Sequence, residues 1–356
     1  MKNFSLSLFF ILVSVATFAQ SYDGPESVEY DFGNDRWLIG NKNSNQVLAR
    51  DTDGNLSVLI PQSEIGNTGP YGIEIVGDVL YTCCGSRVKG FSLTTLDEVF
   101  NVNTGGTFLN GITHDNAGNL IVTDFTAKVI YKLDIAAETS TSIASNLVQS
   151  PNGIIFDEVN NRCVFVNWGS NAPIKAISLD DNTVSIIITT SYSNCDGIAV
   201  DGDGSYYVSV WGGQQTLKYS NDFASSPTIV VQGLSSPADI FFNIPGMILG
   251  IPNSGNNTVT FVQFSLNILE INASSALIYP NPASTQLFIE LNENFAEPHL
   301  ISVYDMSGKW VQSFGSEAFT FVSGKITLNC EMIQSGAYLL HLHGTERNEI
   351  IQIVIQ

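Results

Sequence analysis

The stretch PNGIIFD, residues Pro151–Asp157, recurs with variation along the chain. Measured at the third residue of each copy, the copies fall at positions 27, 72, 111, 153, 197 and 239. A period of about 40 residues built from short strands is typical of a β-propeller, whose blades each hold about four strands. Six copies therefore predict an all-β fold with a six-bladed β-propeller. The other copies are Pro25–Val28, Pro70–Ile73, Leu109–Asp115, Cys195–Asp201 and Pro237–Ile240.

Each copy is followed by further β-rich runs separated by turn residues. After Pro151–Asp157 these runs are Cys163–Asn167, Ile174–Leu179 and Val184–Thr189, which predict the second, third and fourth strands of one blade. The sixth copy lacks an obvious fourth strand. Either Leu266–Ile271 supplies it or the mature N-terminus closes the ring, and the sequence does not choose between these alternatives.

Charge and the N-terminal residues bear on localisation. Acidic residues outnumber Lys and Arg by 34 to 14, and the formal net charge of −20 argues against nucleic-acid binding. Residues 1–19 have a basic start, an apolar run and small residues at the end, which predicts a signal peptide. No later stretch approaches about 18 apolar residues, so no transmembrane segment is expected in the mature chain. We expect a secreted or surface-attached protein with its propeller over residues 20–264 and a linker over 265–276.

A different segment with short strand-like runs occupies residues 277–356 and predicts a small β-sandwich. It resembles the C-terminal sorting domain of the bacterial type IX secretion system. The resemblance rests on Tyr279–Pro282 (YPNP), Val303–Lys309 (VYDMSGK, with a hairpin turn predicted at Met306–Lys309) and Ser335–Tyr338 (SGAY). It implies the type IX secretion machinery as a partner and the cell surface or exterior as the destination. The alternative is an ordinary accessory β-sandwich.

The second residue of each copy begins an innermost strand, so these residues should converge on the central channel of a propeller. Four of the six carry oxygen donors and no His or Cys is among them, which favours Ca²⁺, with Mg²⁺ or Mn²⁺ possible. Asn and Asp before Gly are also ordinary turn formers, and this alternative stays open. The six residues are Glu26, Tyr71, Asn110, Asn152, Asp196 and Ala238.

At these positions the chain resembles the regucalcin/gluconolactonase family and, more distantly, paraoxonase-like and strictosidine-synthase-like propellers. The resemblance implies that Glu26, Asn152 and Asp196 bind one divalent cation. It further implies that Asn110 contacts metal-bound water or substrate, and that the reaction is hydrolysis of a lactone or related ester. One departure is Phe108, which stands where the family has an arginine.

Two further sets of residues are candidates for the same site. Asp196 is the candidate general base, with His114 as the alternative, although a structural role for this histidine is also open. Loops between second and third strands should open on the same face, where Arg87, Trp168 and Trp211 could contact a sugar or another planar ligand. The two tryptophans could equally cap the core beneath the loops. A non-enzymatic surface propeller that binds a carbohydrate, peptide or protein is the rival hypothesis.

Overall fold

The computed structural model describes residues 20–264, 276–291, 298–305, 310–316, 318–322, 324–344 and 348–356. The predicted signal peptide, the linker up to residue 275, the run Leu266–Ile271 and the turn Met306–Lys309 lie outside the described residues. Within them the fold is all-β, as predicted, with a single helix of four residues, α1 (Gln62–Ile65). No helix among the described residues is both long and apolar enough to cross a membrane.

Residues 25–263 form six antiparallel sheets, each continuous in sequence. The first three sheets are β1 (Pro25–Asp31), β2 (Arg36–Asn41), β3 (Gln46–Arg50) and β4 (Leu56–Ile60); β5 (Ile73–Val76), β6 (Val79–Cys84), β7 (Arg87–Ser92) and β8 (Glu98–Asn103); and β9 (Leu109–His114), β10 (Asn119–Asp124), β11 (Val129–Asp134) and β12 (Thr139–Ala144). The last three are β13 (Ser150–Asp157), β14 (Arg162–Trp168), β15 (Pro173–Ser178) and β16 (Val184–Thr189); β17 (Cys195–Val200), β18 (Tyr206–Val210), β19 (Gln215–Tyr219) and β20 (Thr228–Gln232); and β21 (Phe241–Asn243), β22 (Ile248–Asn253) and β23 (Thr258–Gln263).

The sheets form a closed ring. The first strand of each sheet contacts the first strand of the next sheet, and β21 contacts β1. The repeated phrase therefore lies at the start of the innermost strand in the first five blades, and directly before that strand in the sixth. The sixth sheet has three strands among the described residues, and residues 20–24 add no strand to it.

Glycine in the repeated phrase is required by the close approach of neighbouring inner strands. A Cβ on Gly153 would lie 2.6 Å from the carbonyl oxygen of Asp196, and one on Gly111 would lie 2.4 Å from that of Asn152. No side chain fits at such distances from backbone atoms, so only glycine allows the ring to close this tightly.

Hydrophobic side chains fill the space between neighbouring sheets rather than the channel. Leu38, Leu80 and Phe91 join the first two sheets, and Val166, Val208 and Leu217 join the fourth and fifth. All five cysteines are buried as free thiols. These cysteines act as small apolar core residues.

The C-terminal residues form two four-stranded sheets that pack face to face. Their strands are β24 (Ala276–Tyr279), β25 (Gln286–Leu291), β26 (Leu300–Asp305), β27 (Trp310–Gly315), β28 (Thr320–Val322), β29 (Lys325–Asn329), β30 (Gly336–His343) and β31 (Asn348–Ile355). One sheet has the order β24-β25-β29-β28 and the other β27-β26-β30-β31, with a shared core that includes Leu287, Ile301 and Leu340. This β-sandwich contacts the propeller, where His341 Nε2 lies 3.6 Å from Asp203 Oδ1.

Candidate functional site

Four inner strands are irregular where the candidate ligands lie. In β1, β9, β13 and β17 the pairing with the second strand of the sheet shifts register at the start of the repeated phrase. An irregularity of this kind frees one or two residues from the ladder and re-aims their side chains. The residues freed in this way include Glu26, Asn110, Asn152 and Asp196.

Hydroxyl groups on the second strands fix these irregular segments. Thr123 Oγ1 accepts a hydrogen bond from the Gly111 N–H at 2.9 Å and donates one to the Asn152 carbonyl oxygen at 2.8 Å. Ser209 acts in the same way between the Gly197 N–H and the Ala238 carbonyl, at 2.7 Å each. Each hydroxyl thus joins two neighbouring inner strands at the level of the candidate site.

The four candidate ligands converge at one mouth of the channel. Asn110 Nδ2 donates to Asn152 Oδ1 at 2.6 Å, and Asn152 in turn bonds to the carboxyl group of Asp196. The Glu26 carboxyl group is close enough to Asp196 to raise the pKa of Asp196, and only 3% of Asp196 and 5% of Glu26 are exposed. Residues from four separate sheets therefore form one buried polar cluster.

Lys42, in the loop after β2, reaches into this cluster. Its Nζ lies 2.6 Å from Glu26 Oε2 and 5.9 Å from the ring centroid of Trp211. Its side chain is 24% exposed, whereas that of Glu26 is only 7% exposed. The ion pair therefore neutralises a carboxylate that is almost removed from water.

The surroundings of Asp196 disfavour its ionised form. Burial, followed by the neighbouring Glu26 and Asp239 carboxyl groups, raises the pKa of Asp196 well above its usual range. Lys42 and the hydrogen bond from Asn152 act in the opposite direction without compensating. Additional positive charge at this mouth would thus stabilise ionised Asp196.

An aromatic rim lies beside the cluster and is a continuous row of five side chains, Tyr71, Phe108, Phe125, Trp168 and Trp211. Neighbouring rings meet edge to face, with centroids 4.5, 5.7, 5.8 and 5.2 Å apart in that order. Trp168 and Trp211 therefore lie together, as their equivalent strand ends predict. The indole N–H of Trp211 is buried and has no hydrogen-bond partner among the described residues.

Asp124 positions part of this rim. Its buried carboxylate accepts hydrogen bonds from the backbone N–H groups of Thr107 and Phe108 on one side and of Thr126 and Ala127 on the other. Both loops that carry Phe108 and Phe125 are therefore held by one side chain. These hydrogen bonds fix the two loops relative to each other.

His114 lies at the other end of its inner strand and is not part of the cluster. Four residues separate it from Asn110, which corresponds to about 13 Å along a strand. Its Nδ1 is 2.5 Å from Glu74 Oε1, and it lines a second cavity of about 300 Å³ with Glu29 and Asp239. His114 is thus paired with Glu74 away from the cluster, and its role as an alternative base remains a prediction.

The basic side chain that contacts the cluster is Lys42, whereas Arg87, which was predicted to contact a ligand, bonds elsewhere. The guanidinium of Arg87 bonds to the side chain and the carbonyl of Asn101 on the neighbouring strand, and none of its described contacts involves the cluster. Lys42 was not among the residues predicted for the site. Its position directly after the second strand of the first blade was the available signal, because that loop reaches Glu26.

The donor set fits a hard divalent cation by its chemistry. Two carboxylates and two amide oxygens are suitable ligands for Ca²⁺. A cation would also stabilise the ionised form of Asp196, which burial and the neighbouring carboxyl groups disfavour. Among the described residues no group of three or more His, Cys, Asp or Glu side chains is arranged to hold a metal ion. Half of this set is asparagine, and Lys42 already contacts Glu26, so a cation would have to share or replace that contact.

Solved structures with similar folds include several propellers, each under 25% identical, so the likeness concerns the fold. A gluconolactonase from Xanthomonas campestris has a TM-score of 0.57 and 15% identity, over 68% of this chain and 86% of that chain. A nidogen/laminin complex gives a TM-score of 0.56 and 15% identity, over 64% and 88%. A structural genomics protein of unknown function from Bacteroides thetaiotaomicron gives 0.55 and 14%, over 68% and 69%.

Family comparisons assign both parts of the chain. No curated protein sequence matches it. Residues 277–356 match the secretion system C-terminal sorting domain, which indicates type IX secretion to the cell surface or exterior and engagement of that machinery. Residues 40–243, more than half of the chain, match the SMP-30/gluconolactonase/LRE-like region. The chain therefore belongs to the SMP-30/gluconolactonase/LRE-like family and carries a C-terminal secretion sorting domain.

Proposed function

We propose that this exported propeller hydrolyses a lactone or a related ester with the help of one divalent cation, with Ca²⁺ as the expected ion. The observation that carries the proposal is the convergence of Glu26, Asn152 and Asp196 beneath the aromatic rim. Family membership supports the same reaction class. A buried polar cluster below an apolar entrance is the arrangement expected of a small-molecule site.

The residues would divide the work as follows. Glu26, Asn152 and Asp196 would hold the cation, and Asn110 would fix the Asn152 amide through the 2.6 Å bond between them. When bound, the cation would polarise the ester carbonyl and lower the pKa of a water molecule. Asp196 would accept the proton of the attacking water and pass it to the ring oxygen as the acyl C–O bond breaks, because its carboxyl group lies in the cluster whereas His114 is paired with Glu74. The rim would hold the ring of the substrate and limit the access of bulk water.

The test combines a binding and a rate measurement on the chain from residue 20 onward. We expect saturable Ca²⁺ binding at one site by calorimetry and cation-dependent opening of at least one lactone from a panel of aldonolactones. Asp196→Asn should abolish the binding and lower the rate by about 10² to 10⁴. Asp180→Asn, which changes an exposed loop carboxylate, is the matched control and should match the parent chain. Hydrolysis that proceeds equally in Asp196→Asn would contradict the mechanism.

A second function is favoured by one observation. Lys42 already neutralises Glu26, so the mouth can hold a ligand without any cation. The chain would then be a surface propeller that binds a carbohydrate, peptide or protein through the aromatic rim. Glu26→Gln distinguishes the two functions, because a cation-dependent hydrolase should lose its activity whereas a rim-based binding protein should keep its ligand.

A further inference from the structure

The contacts of Lys42 span the mouth of the channel. Lys42 belongs to the first sheet, pairs with Glu26 of that sheet and lies over Trp211, which follows the second strand of the fifth sheet. It also acts on the Asp196 carboxyl group, where its charge opposes the effect of burial. One ammonium group is therefore shared among the two carboxylates of the cluster and the edge of the rim.

This ammonium group and a divalent cation would need the same partner. Ca²⁺ binds carboxylate oxygens at about 2.3 to 2.6 Å, and the ammonium is already 2.6 Å from Glu26 Oε2. Two positive charges at one buried carboxylate repel each other strongly, since solvent screening is weak there. The lysine side chain is long and partly exposed, so it can leave for water while the buried carboxylate cannot.

We propose that Lys42 is a tethered counter-ion that occupies the position of the cation in the free chain and must leave Glu26 before a divalent ion is held. The inference rests on the cation site proposed above and adds a specificity-determining residue to it. Apparent affinity falls by the fraction of molecules in which the site is open. If fewer than about a tenth of the molecules have Lys42 away from Glu26, the natural chain binds Ca²⁺ at least about tenfold more weakly than the open cluster would.

The experiment is a calorimetric titration of CaCl₂ into the chain from residue 20 onward and into three variants. Lys42→Met keeps the apolar stem and removes the charge, and it should bind Ca²⁺ at least about tenfold more tightly. Lys42→Arg keeps the charge and should retain the weak binding of the parent. The matched control is Lys89→Met, because Lys89 also forms an ion pair, 3.1 Å from Glu98, and its side chain is 16% exposed. Lys89→Met should leave the affinity unchanged.

Thermal unfolding supplies a second measurement that does not depend on activity. Without Ca²⁺, Lys42→Met should unfold at a lower temperature than the parent, because Glu26 is then buried without a counter-charge. Saturating Ca²⁺ should restore more stability to Lys42→Met than to the parent chain or to Lys89→Met. If Lys42→Met fails to fold, Lys42→Gln, which offers amide donors to Glu26, serves in both measurements.

The outcomes separate this inference from the proposed function. Equal Ca²⁺ affinity in the parent and Lys42→Met would overturn the role of Lys42 and leave the cation site standing. Binding to Lys42→Met alone would support the role of Lys42 and overturn cation-dependent hydrolysis by the natural chain. Binding to neither chain would overturn both.

Discussion

Replacing Gly153 by alanine tests whether the close approach of the inner strands holds both the ring and the site. The new Cβ would lie 2.6 Å from the Asp196 carbonyl oxygen and 2.8 Å from Gly197 Cα, whereas ordinary contacts begin at 3.4 Å. The strands would have to separate by about 0.8 Å. Overpacking of this kind costs about 1 to 3 kcal/mol, and we expect the upper end because both neighbours are backbone atoms.

The assay is guanidinium unfolding of the chain from residue 20 onward, followed by tryptophan fluorescence. Gly33→Ala is the matched control, because Gly33 is exposed and its Cβ would meet only Asp31 Oδ1, at 3.4 Å. It should change the free energy of unfolding by less than about 1 kcal/mol. Gly153→Ala should also weaken any ligand held by Asn152 and Asp196, since both flank the clash. Equal stability of the two variants would refute the argument from strand spacing.

Two further predictions concern buried charge and export. Burial, followed by the neighbouring carboxylates, raises the pKa of Asp239 from 3.8 to about 8, so its stabilising contribution is fully present below about pH 4 and is lost as the pH rises through about 8. Asp239→Asn should therefore flatten the fall in stability across that range, by up to about 5 kcal/mol at pH 8, and an unchanged pH profile in thermal unfolding would count against the shift. Deletion of residues 277–356 should abolish delivery of the propeller to the cell surface in its native host, measured by surface proteolysis, and undiminished delivery would contradict the sorting role.

Repeat spacing predicted the architecture well because a propeller is built from local units. Each sheet consists of consecutive strands, so turn residues and β-rich runs locate nearly every strand of residues 25–263. The same logic predicted that Glu26, Asn152 and Asp196 would meet, since equivalent positions in a ring face one axis. Periodicity predicts both the strands and the convergence of equivalent positions, because both depend on the course of the backbone.

Side-chain partners followed less well from the sequence, because they depend on reach and direction. His114 belongs to the same phrase as Asn110, yet it lies four positions further along the strand and is paired with Glu74. Lys42 lies outside the repeated phrase, and its ammonium group reaches Glu26 from the loop after β2. The sequence predicted Trp168 and Trp211 in the rim. It did not predict Phe108, whose backbone N–H donates a hydrogen bond to Asp124 and whose ring contacts Phe125.

Glu26 makes two separate contacts, one through its backbone carbonyl oxygen and one through its side-chain carboxylate. Its carbonyl oxygen accepts a hydrogen bond from the Asp239 N–H at 2.9 Å, where the last sheet meets the first, and its carboxylate belongs to the polar cluster. The polar cluster can therefore form only after the sixth sheet has packed against the first. A ligand that joins Glu26 to Asp196 would act as a clasp on the finished ring, adding about 2.7 kcal/mol of resistance to opening at a hundredfold excess over its dissociation constant. For a protein exported to the cell surface or exterior, such a ligand would bind only the closed propeller and would make that closed form more stable.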